Sequence, residues 1–241
     1  MNVSTKGIVL HRTKYTDSSF IVKIFTERLG LQTYLVQGAN RKSAKIKSNL
    51  LQPFTLLDLE VYQREKKDIQ RIKELRLDHP FESIPFDQSK NAIALFLTEI
   101  LYKTVKEEAP NPELFQFLDT AIRWLDLSEN PCANFHLWFL VQLSGFFGFF
   151  PQGTPSETIP RFDLREGCFC ENIPHHQLFL DRPYSFYLYR LLGTKIAAIS
   201  DLRMSGNDRK ILLNGLVDYF RIHLDQLKEI RSHQVLETVL A

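Results

Sequence analysis

Short runs of β-branched and aromatic residues recur through the first eighty positions of the chain. Turn-forming residues separate the first three runs, and a longer connection separates the third run from the fourth. Such runs predict β-strands, although the apolar spacing of the last one also suits a short helix. Five strands with one long connection after the third favour a small barrel of the oligonucleotide/oligosaccharide-binding (OB) type over a sandwich. The predicted strands are 7–12, 19–26, 31–37, 56–62 and 69–77.

Helical spacing of apolar residues replaces the strand pattern after Pro80 and Pro85. Prolines and capping residues mark where the helices begin. The segment near 161–181 contains Cys168 and Cys170 and is expected to be irregular. The sequence therefore predicts an α+β protein, with an OB-type barrel in residues 1–80 and a mainly α-helical domain in residues 81–241. Helices are predicted to begin near residues 87, 112 and 131, to cover 183–192 and 207–224, and to begin once more at 232.

The composition is that of an ordinary globular protein with a sizeable core. The chain has 241 residues, of which 44% are hydrophobic and 24% charged. Its three cysteines cannot form a disulfide framework, which predicts a reducing compartment, the cytoplasm. The apolar stretch 133–150 is interrupted by polar residues such as Asn134, His136 and Gln142. It therefore predicts a buried core helix, and no membrane association is expected.

Charge is distributed unevenly between the two parts of the chain. Residues 1–80 contain 15 Lys and Arg against 8 Asp and Glu, whereas residues 81–241 contain 15 against 20. The first part therefore carries a net charge of +7 and the second −5, within an overall +2. A basic front half indicates a polyanionic partner, and nucleic acid is the commonest one for a cytoplasmic protein. A solvated basic surface without a partner is the alternative.

Basic residues concentrate in the long connection 38–54, where four of them lie within seven residues without an intervening acid. At the rim of a barrel they would bind a phosphate backbone independently of base sequence. A second basic set, partly offset by acids, surrounds the turn before residue 69. Aromatic residues of this region could stack on bases, although the barrel core is the favoured place for each one. The predicted DNA contacts are Arg41, Lys42, Lys45 and Lys47, supported by Arg12, Lys14, Arg64, Lys66 and Lys67, and the aromatic residues are Tyr15, Phe25, Tyr34, Phe54 and Tyr62.

Two kinds of chemistry receive little support from the motifs. Cys168, Cys170, His175 and His176 could bind zinc, but CxC followed by adjacent histidines fits one tetrahedral ion poorly. An ordinary loop with two thiols is the favoured interpretation, so no cofactor is expected. The chain also lacks GxxxxGK[ST], HExxH, GxSxG and GxGxxG, which argues against an enzyme.

A series of short motifs in the first domain has the order and spacing of a known family. The series is Lys6-Gly7-Ile8-Val9-Leu10, then Arg12, Tyr15, Asp17-Ser18, Phe25-Thr26 and Gly30, then Gly38-Ala39-Asn40-Arg41-Lys42 and Leu51-Gln52-Pro53-Phe54. It resembles the N-terminal part of the bacterial recombination mediator RecO family. The tail, with Lys228-Glu229-Ile230-Arg231-Ser232, is more loosely similar to the family's C-terminal end.

This resemblance implies an OB barrel followed by a helical domain. It implies binding of single- and double-stranded DNA and annealing of complementary strands without bond chemistry. It also implies action on strands coated by single-strand-binding protein, contact with the acidic tail of that protein, partnership with RecR in loading RecA, and a place at the nucleoid. Many members bind zinc through two cysteine pairs, whereas this chain has only Cys168 and Cys170 in the corresponding region, which puts metal binding in doubt.

Two hypotheses about function follow. The first is a DNA-annealing mediator whose basic loop binds phosphates. The second is a protein-interaction adaptor whose helical domain is the main functional surface, with the barrel serving as a docking platform.

Overall fold

A computed structural model describes residues 1–40, 46–64, 67–106, 109–224, 227 and 229–240. The front of the chain forms a closed five-stranded barrel with the strand order β1-β2-β3-β5-β4. Strands β3 and β5 pair in parallel, and the other neighbours are antiparallel. The predicted OB-type barrel is confirmed, and the ambiguous fifth segment is a strand. The bounds are β1 Asn2–Thr16, β2 Ser19–Thr26, β3 Gly30–Val36, β4 Leu56–Tyr62 and β5 Ile69–Leu77.

Alternating side chains from the strands fill the barrel interior. Val9, Val22, Ile24 and Leu57 belong to this core and are fully buried. Gly7 is required where β1 crosses the core, because a Cβ atom there would lie 2.7 Å from side-chain atoms of both Ile24 and Leu59. The alternation of apolar and polar residues that predicts the strands thus also indicates which of their side chains face the barrel core.

Tyr34 is a polar exception within this apolar core. Its side chain is fully buried, and its hydroxyl has no hydrogen-bond partner among the described residues. Burial also raises the pKa of Tyr34 far above its usual value. An unpaired hydroxyl in an apolar interior opposes folding by about 1–3 kcal/mol.

Replacing Tyr34 by Phe is therefore expected to leave the free energy of unfolding unchanged or to raise it by about 1 kcal/mol, because the ring remains and the unpaired hydroxyl is removed. Urea denaturation monitored by circular dichroism measures the change. Tyr34→Leu serves as a packing control and is expected to destabilise the barrel. A loss of more than about 1 kcal/mol in Tyr34→Phe would mean that the hydroxyl is hydrogen-bonded.

Six α-helices lie beyond the barrel in the described residues. The predicted order of a barrel followed by helices is confirmed. Proline and serine mark two of the starts, since Pro112 opens α2 and Ser205 caps α5 in a reciprocal hydrogen-bond pair with Asp208. The bounds are α1 Gln88–Thr104, α2 Pro112–Leu127, α3 Phe135–Phe146, α4 Tyr184–Gly193, α5 Gly206–His223 and α6 Ser232–Val239.

Helix α3 is the buried core helix expected from the apolar stretch. Two of its polar side chains donate hydrogen bonds to backbone carbonyls: Trp138 Nε1 to Thr194 O (2.8 Å) and Gln142 Nε2 to Leu191 O (3.2 Å). Just before it, Asn134 donates its side-chain amide to Leu202 O (2.5 Å). Buried polar groups with partners are compatible with an apolar interior. Among the described residues, no helix has both the length and the apolar character needed to span a membrane.

A small sheet replaces the irregular segment expected near 161–181. Its strands are β6 Arg161–Asp163, β7 Cys168–Cys170 and β8 Phe179–Leu180, in the order β7-β6-β8. The expectation of irregular structure is wrong here because strands of two or three residues are too short to show an alternating pattern. Packing holds the sheet instead, with the Phe162 ring 5.5 Å from the Tyr219 ring of α5.

The chain divides into two compact units. One contains Met1–Asp87 and Ala94–Leu127, and thus the barrel with α2 and most of α1. The other contains Gln88–Ile93 and Ser128–Ala241. The boundaries of these units differ from the boundary predicted after residue 80, which was based on charge and on the change from strands to helices. Independent domains 1–80 and 81–241 stay a prediction.

A buried carboxylate in the first unit fixes the segment that leaves the barrel. Asp126, near the end of α2, is 1% exposed and accepts hydrogen bonds from the backbone N–H groups of Glu82, Ser83 and Ile84 at 2.9–3.2 Å. His79 Nε2 lies 2.9 Å from the same carboxylate. Residues 82–84 are therefore held against α2 by one acidic side chain.

Candidate nucleic-acid interface

The β1–β2 turn and both described flanks of residues 41–45 lie together at one end of the barrel. Ala39 N donates to Ser18 O (2.7 Å), and the Asn40 side chain donates to Asp17 O (3.0 Å). Ser48 N in turn donates to Ala39 O (3.1 Å). These bonds hold Ala39, Asn40 and Ser48, the described flanks, beside the β1–β2 hairpin. Arg41, Lys42 and Lys45 lie outside the described residues, so their predicted role stays a prediction.

The described cations at this end differ in exposure and in whether another group of the protein already binds them. Arg12 is half-buried: its guanidinium donates to Ser48 O (2.9 Å) and lies 5.6 Å from the Phe20 ring centroid. Lys14 is exposed and pairs with Asp17 at 2.9 Å, which lowers the pKa of the Asp17 carboxyl. Such an exposed pair is weak and exchanges readily with a phosphate. Lys47 is exposed and has no acidic partner among the described residues. Of these three, Lys14 and Lys47 are thus available to bind a phosphate, whereas Arg12 is bound to the backbone carbonyl of Ser48. We call a cation available when it is exposed and is not held in a partly buried ion pair.

A second set of cations surrounds the β4–β5 turn. Arg64, Lys67 and Arg71 are exposed and have no ion pair within the described part of the chain. Of two further cations on β5, Lys73 is partly buried and lies 2.7 Å from Glu60, whereas Arg76 is exposed and only 3.9 Å from Glu74, a weak contact. The structure therefore distinguishes the available cations near the turn from Lys73, which is paired. Lys66 lies outside the described residues.

One buried side chain organises this turn. Gln70 is 3% exposed, and its amide oxygen accepts from Arg64 N (3.1 Å). Its amide nitrogen donates to Arg64 O (2.8 Å) and Lys67 O (2.7 Å). Because Gln70 points inward, its neighbours Ile69 and Arg71 point outward. A shallow hollow results, lined by Tyr62, Arg64, Lys67, Ile69, Gln70 and Arg71.

Only two of the five aromatic side chains considered for base stacking are exposed. Phe25, Tyr34 and Phe54 are buried, as the core interpretation predicts. Phe25 belongs to the barrel wall and packs 6.0 Å from the Phe115 ring of α2. Tyr15 is 63% exposed beside Lys14, and Tyr62 is 40% exposed opposite Arg71 on the neighbouring strand. Each set of available cations is therefore accompanied by one exposed tyrosine.

Two cations that sequence reasoning missed meet over one aromatic ring. Lys23 Nζ and Lys106 Nζ lie 5.7 Å and 5.6 Å from the centroid of the Tyr102 ring, on which His11 stacks at 4.1 Å. Burial, with a contribution from Lys23, lowers the pKa of Lys106 and of His11. Lys23 and Lys106 are far apart in the sequence, so no local sequence pattern predicts that they lie close to the same ring.

The thiols on β7 do not form a recognisable metal centre. No group of three or more His, Cys, Asp or Glu side chains suited to a metal occurs in the part of the chain that the structure describes. His176 Nε2 lies 3.3 Å from Asp163, and its Nδ1 accepts from Leu178 N. Burial and the nearby Asp163 raise the pKa of Cys168 and of Cys170. His175 is exposed. The residues present therefore do not fit the two-pair zinc site that the resemblance implies.

Comparison with known proteins covers nearly the whole chain. Residues 1–81 match the family model described as recombination protein O N terminal, and residues 85–231 match recombination protein O C terminal. The chain belongs to the RecO family. Proteins named "DNA repair protein RecO" are 37% identical in Bacteroides fragilis over 97% of both chains, 35% in Flavobacterium psychrophilum over the full length of both, and 34% in Phocaeicola vulgatus over 98% of both.

The two RecO matches leave a short gap at a well-defined place. The first match ends at residue 81 and the second begins at residue 85. The intervening residues 82–84 are those whose backbone N–H groups bind Asp126. In this chain, the junction between the two matched regions is thus held by a specific hydrogen-bond network.

Proposed function

We propose that this chain is a non-catalytic mediator of DNA repair and recombination that binds single- and double-stranded DNA and anneals complementary strands. It acts at the nucleoid on strands coated by single-strand-binding protein, contacts the acidic C-terminal tail of that protein, and helps to load RecA together with RecR. Membership of the RecO family and the names of its relatives support this proposal.

The observation that carries the proposal is the combination of available cations and exposed tyrosines on an OB-type barrel. Lys14, Lys47, Arg64 and Lys67 are exposed around this barrel. Cations bind phosphates of any sequence, and tyrosine rings stack on any base at about 1–3 kcal/mol per base. A surface of this kind suits an annealing protein, because its ligand has no fixed sequence.

Annealing on such a surface needs no nucleotide hydrolysis. The cations lower the repulsion between two phosphate backbones, and the exposed tyrosines hold bases without selecting them. Once complementary bases meet, duplex stacking supplies about 1.4 kcal/mol per base-pair step. The role of the protein is to bring the strands together and then release the duplex.

A strand-annealing assay tests the proposal directly. Two complementary oligonucleotides coated with single-strand-binding protein are mixed with the full chain without ATP, and binding is measured over a salt series. We expect accelerated annealing and a log–log binding slope of about −3 to −4, as for roughly four to six phosphates on single strands. Absence of both binding and annealing would contradict the proposal and favour the adaptor hypothesis.

Replacing Lys14, Lys47, Arg64 and Lys67 together by Ala is expected to weaken single-strand binding at least about tenfold at physiological salt and to reduce the steepness of the salt slope by about 0.7 for each phosphate contact that a strand loses. The loss should be similar for all base sequences, because phosphates carry no sequence information. Fluorescence anisotropy over a salt series measures both quantities.

The matched control replaces two cations of the same barrel that already have carboxylate partners: Lys6 lies 3.2 Å from Asp78 and Lys73 lies 2.7 Å from Glu60. This control also lowers the net charge, but it is expected to leave affinity within about threefold, because paired cations offer little to a phosphate. Equal losses of binding free energy per charge removed in control and test variants would show that only net charge matters, and would contradict the assignment of these residues.

A further inference from the structure

The available cations and exposed tyrosines form two clusters. We call Lys14, Tyr15 and Lys47 the hairpin cluster, since they lie at or beside the β1–β2 hairpin. We call Tyr62, Arg64, Lys67 and Arg71 the turn cluster, since they surround the β4–β5 turn. Each combines at least two exposed cations with one exposed tyrosine.

The two clusters lie at opposite ends of β1. Tyr62 of the turn cluster pairs with Asn2, the first residue of that strand, and Tyr15 is its last residue but one. Across the sheet the clusters are closer, because the register aligns Arg12, Val22, Tyr34 and Gln70 on β1, β2, β3 and β5. At about 4.8 Å per strand, the Cα atoms of Arg12 and Gln70 are roughly 15 Å apart. Strands β2 and β3 therefore lie between the two clusters.

Within β2 and β3, the described strands between the clusters, Lys23 is the one Lys or Arg, and its Nζ lies 5.7 Å from the centroid of the Tyr102 ring of α1. Strand β3 lies between β2, which begins at the hairpin, and β5, which begins at the turn. Its residues Gly30–Val36 include no charged side chain. Farther along β5, Lys73 is paired with Glu60 at 2.7 Å. Among the described residues, the exposed cations of the hairpin cluster and of the turn cluster therefore form two groups, with the uncharged strand β3 and the Tyr102-bound Lys23 between them.

The turn cluster has the features of a preorganised site for a nucleotide. The three hydrogen bonds of Gln70 hold the backbone of Arg64 and Lys67. Tyr62 and Arg71 are cross-strand partners, so their side chains leave the sheet on the same side. This arrangement places an aromatic ring for stacking beside a guanidinium for a phosphate, and the backbone of Arg64 and Lys67 is already hydrogen-bonded before a strand binds.

We propose that the hairpin cluster and the turn cluster are separate single-strand sites that bind two DNA strands to one chain at the same time. This inference rests on the proposed DNA-annealing function and specifies how the barrel performs it. Two strands on one chain experience a high effective concentration, so that pairing no longer depends on their collision in solution.

The test uses the full chain and two short oligothymidylate strands, one with a donor dye and one with an acceptor dye. Thymidine strands do not pair with each other, so energy transfer between them reports binding to the same protein particle. Native mass spectrometry of the same mixture identifies the species with one chain and two strands. We expect two strands per chain and energy transfer at limiting protein.

Two double variants assign the sites. Tyr62→Ala with Arg71→Ala removes the turn cluster's stacking pair, and Lys14→Ala with Tyr15→Ala disables the hairpin cluster. Each is expected to reduce the stoichiometry from two strands to one and to weaken binding at the altered site about tenfold or more. Binding at the other site should change less than about threefold, because the two sites do not share side chains. Lys73→Ala, on the same strand as Arg71 but paired with Glu60, is the matched control and should keep both strands.

Different results overturn different claims. One strand per wild-type chain, or loss of all binding in either double variant, would show a single continuous site and overturn this inference while leaving DNA binding intact. No binding by the wild-type chain would overturn the proposed function itself and this inference with it. Thermal unfolding of each variant confirms that the altered side chains, all at the surface, leave the fold unchanged.

Discussion

Replacing Asp126 by Ala is expected to lower the free energy of unfolding by about 3–5 kcal/mol. The carboxylate accepts three backbone N–H groups of residues 82–84 and contacts the His79 ring, and its own side chain is fully buried. Its removal leaves several donors without a partner in a site that water does not reach readily. Chemical denaturation of the full chain measures the loss.

The control for this prediction lies on the same helix. Asp119 is partly exposed and forms an i, i+4 ion pair with Arg123 at 2.9 Å. Asp119→Ala is expected to lower the free energy of unfolding by no more than about 1 kcal/mol. Asp126→Asn should lie between the two, since the amide oxygen still accepts but the charge is lost. A loss in Asp126→Ala no larger than that in Asp119→Ala would contradict the proposed importance of the network.

The same network predicts sensitivity to strong acid. Burial alone raises the pKa of Asp126, but the N–H groups of Ile84, Glu82 and Ser83, with His79, outweigh it and lower the pKa below its usual value. The unfolded chain therefore binds this proton more readily than the folded chain. The stabilisation is present above the ordinary carboxyl pKa and is lost as the pH falls through the folded value.

Acidification between about pH 6.5 and 5 is expected to lower the free energy of unfolding by about 2 kcal/mol through a single buried histidine. His136 of α3 is 1% exposed, and burial, with a contribution from the Arg209 charge, lowers its pKa to about 3. In the unfolded chain this ring binds a proton near its ordinary pKa, whereas in the folded chain it stays neutral. The contribution of neutral His136 to the free energy of unfolding is thus complete above about pH 6.5 and is lost as the pH falls towards 3.

A pair of variants separates this effect from other titrations. His136→Gln removes the buried titrating ring, so its stability should fall less steeply with acid than that of the wild type. His175 is exposed, and His175→Gln should retain the wild-type slope. Urea denaturation at a series of pH values provides both slopes. An unchanged slope in His136→Gln would show that another group causes the acid sensitivity.

Strand prediction succeeded where the elements are long enough to show a pattern. The segments 56–62 and 69–77 coincide with β4 and β5, because alternating apolar and polar residues are a direct consequence of strand geometry. In β1 the prediction covered only 7–12, while the strand runs over Asn2–Thr16. The added residues are largely polar and exposed at the hairpin end, so pairing with β2 rather than burial keeps them extended.

For the candidate nucleic-acid interface, the sequence predicted which residues take part but not how they are arranged. The sequence analysis located the basic region and named Lys14, Lys47, Arg64 and Lys67, which the structure describes as exposed. It did not reveal that Arg12 donates to Ser48 O across 36 positions. Nor did it reveal which aromatic rings are exposed, because strands with similar patterns bury some rings and expose others according to what packs against them.

The sequence by itself determined the order of a barrel followed by helices, the excess of cations in its first third and the family to which the chain is similar. These properties depend on periodicity, composition and local motifs, all of which are read from neighbouring positions. Only the tertiary structure decided which cations are available, since the pairing of Lys73 with Glu60 and the Gln70 network depend on strand register. It also placed Asp126 against residues more than forty positions away. Ion pairing and burial arise from neighbours in space, which the linear order of residues does not specify.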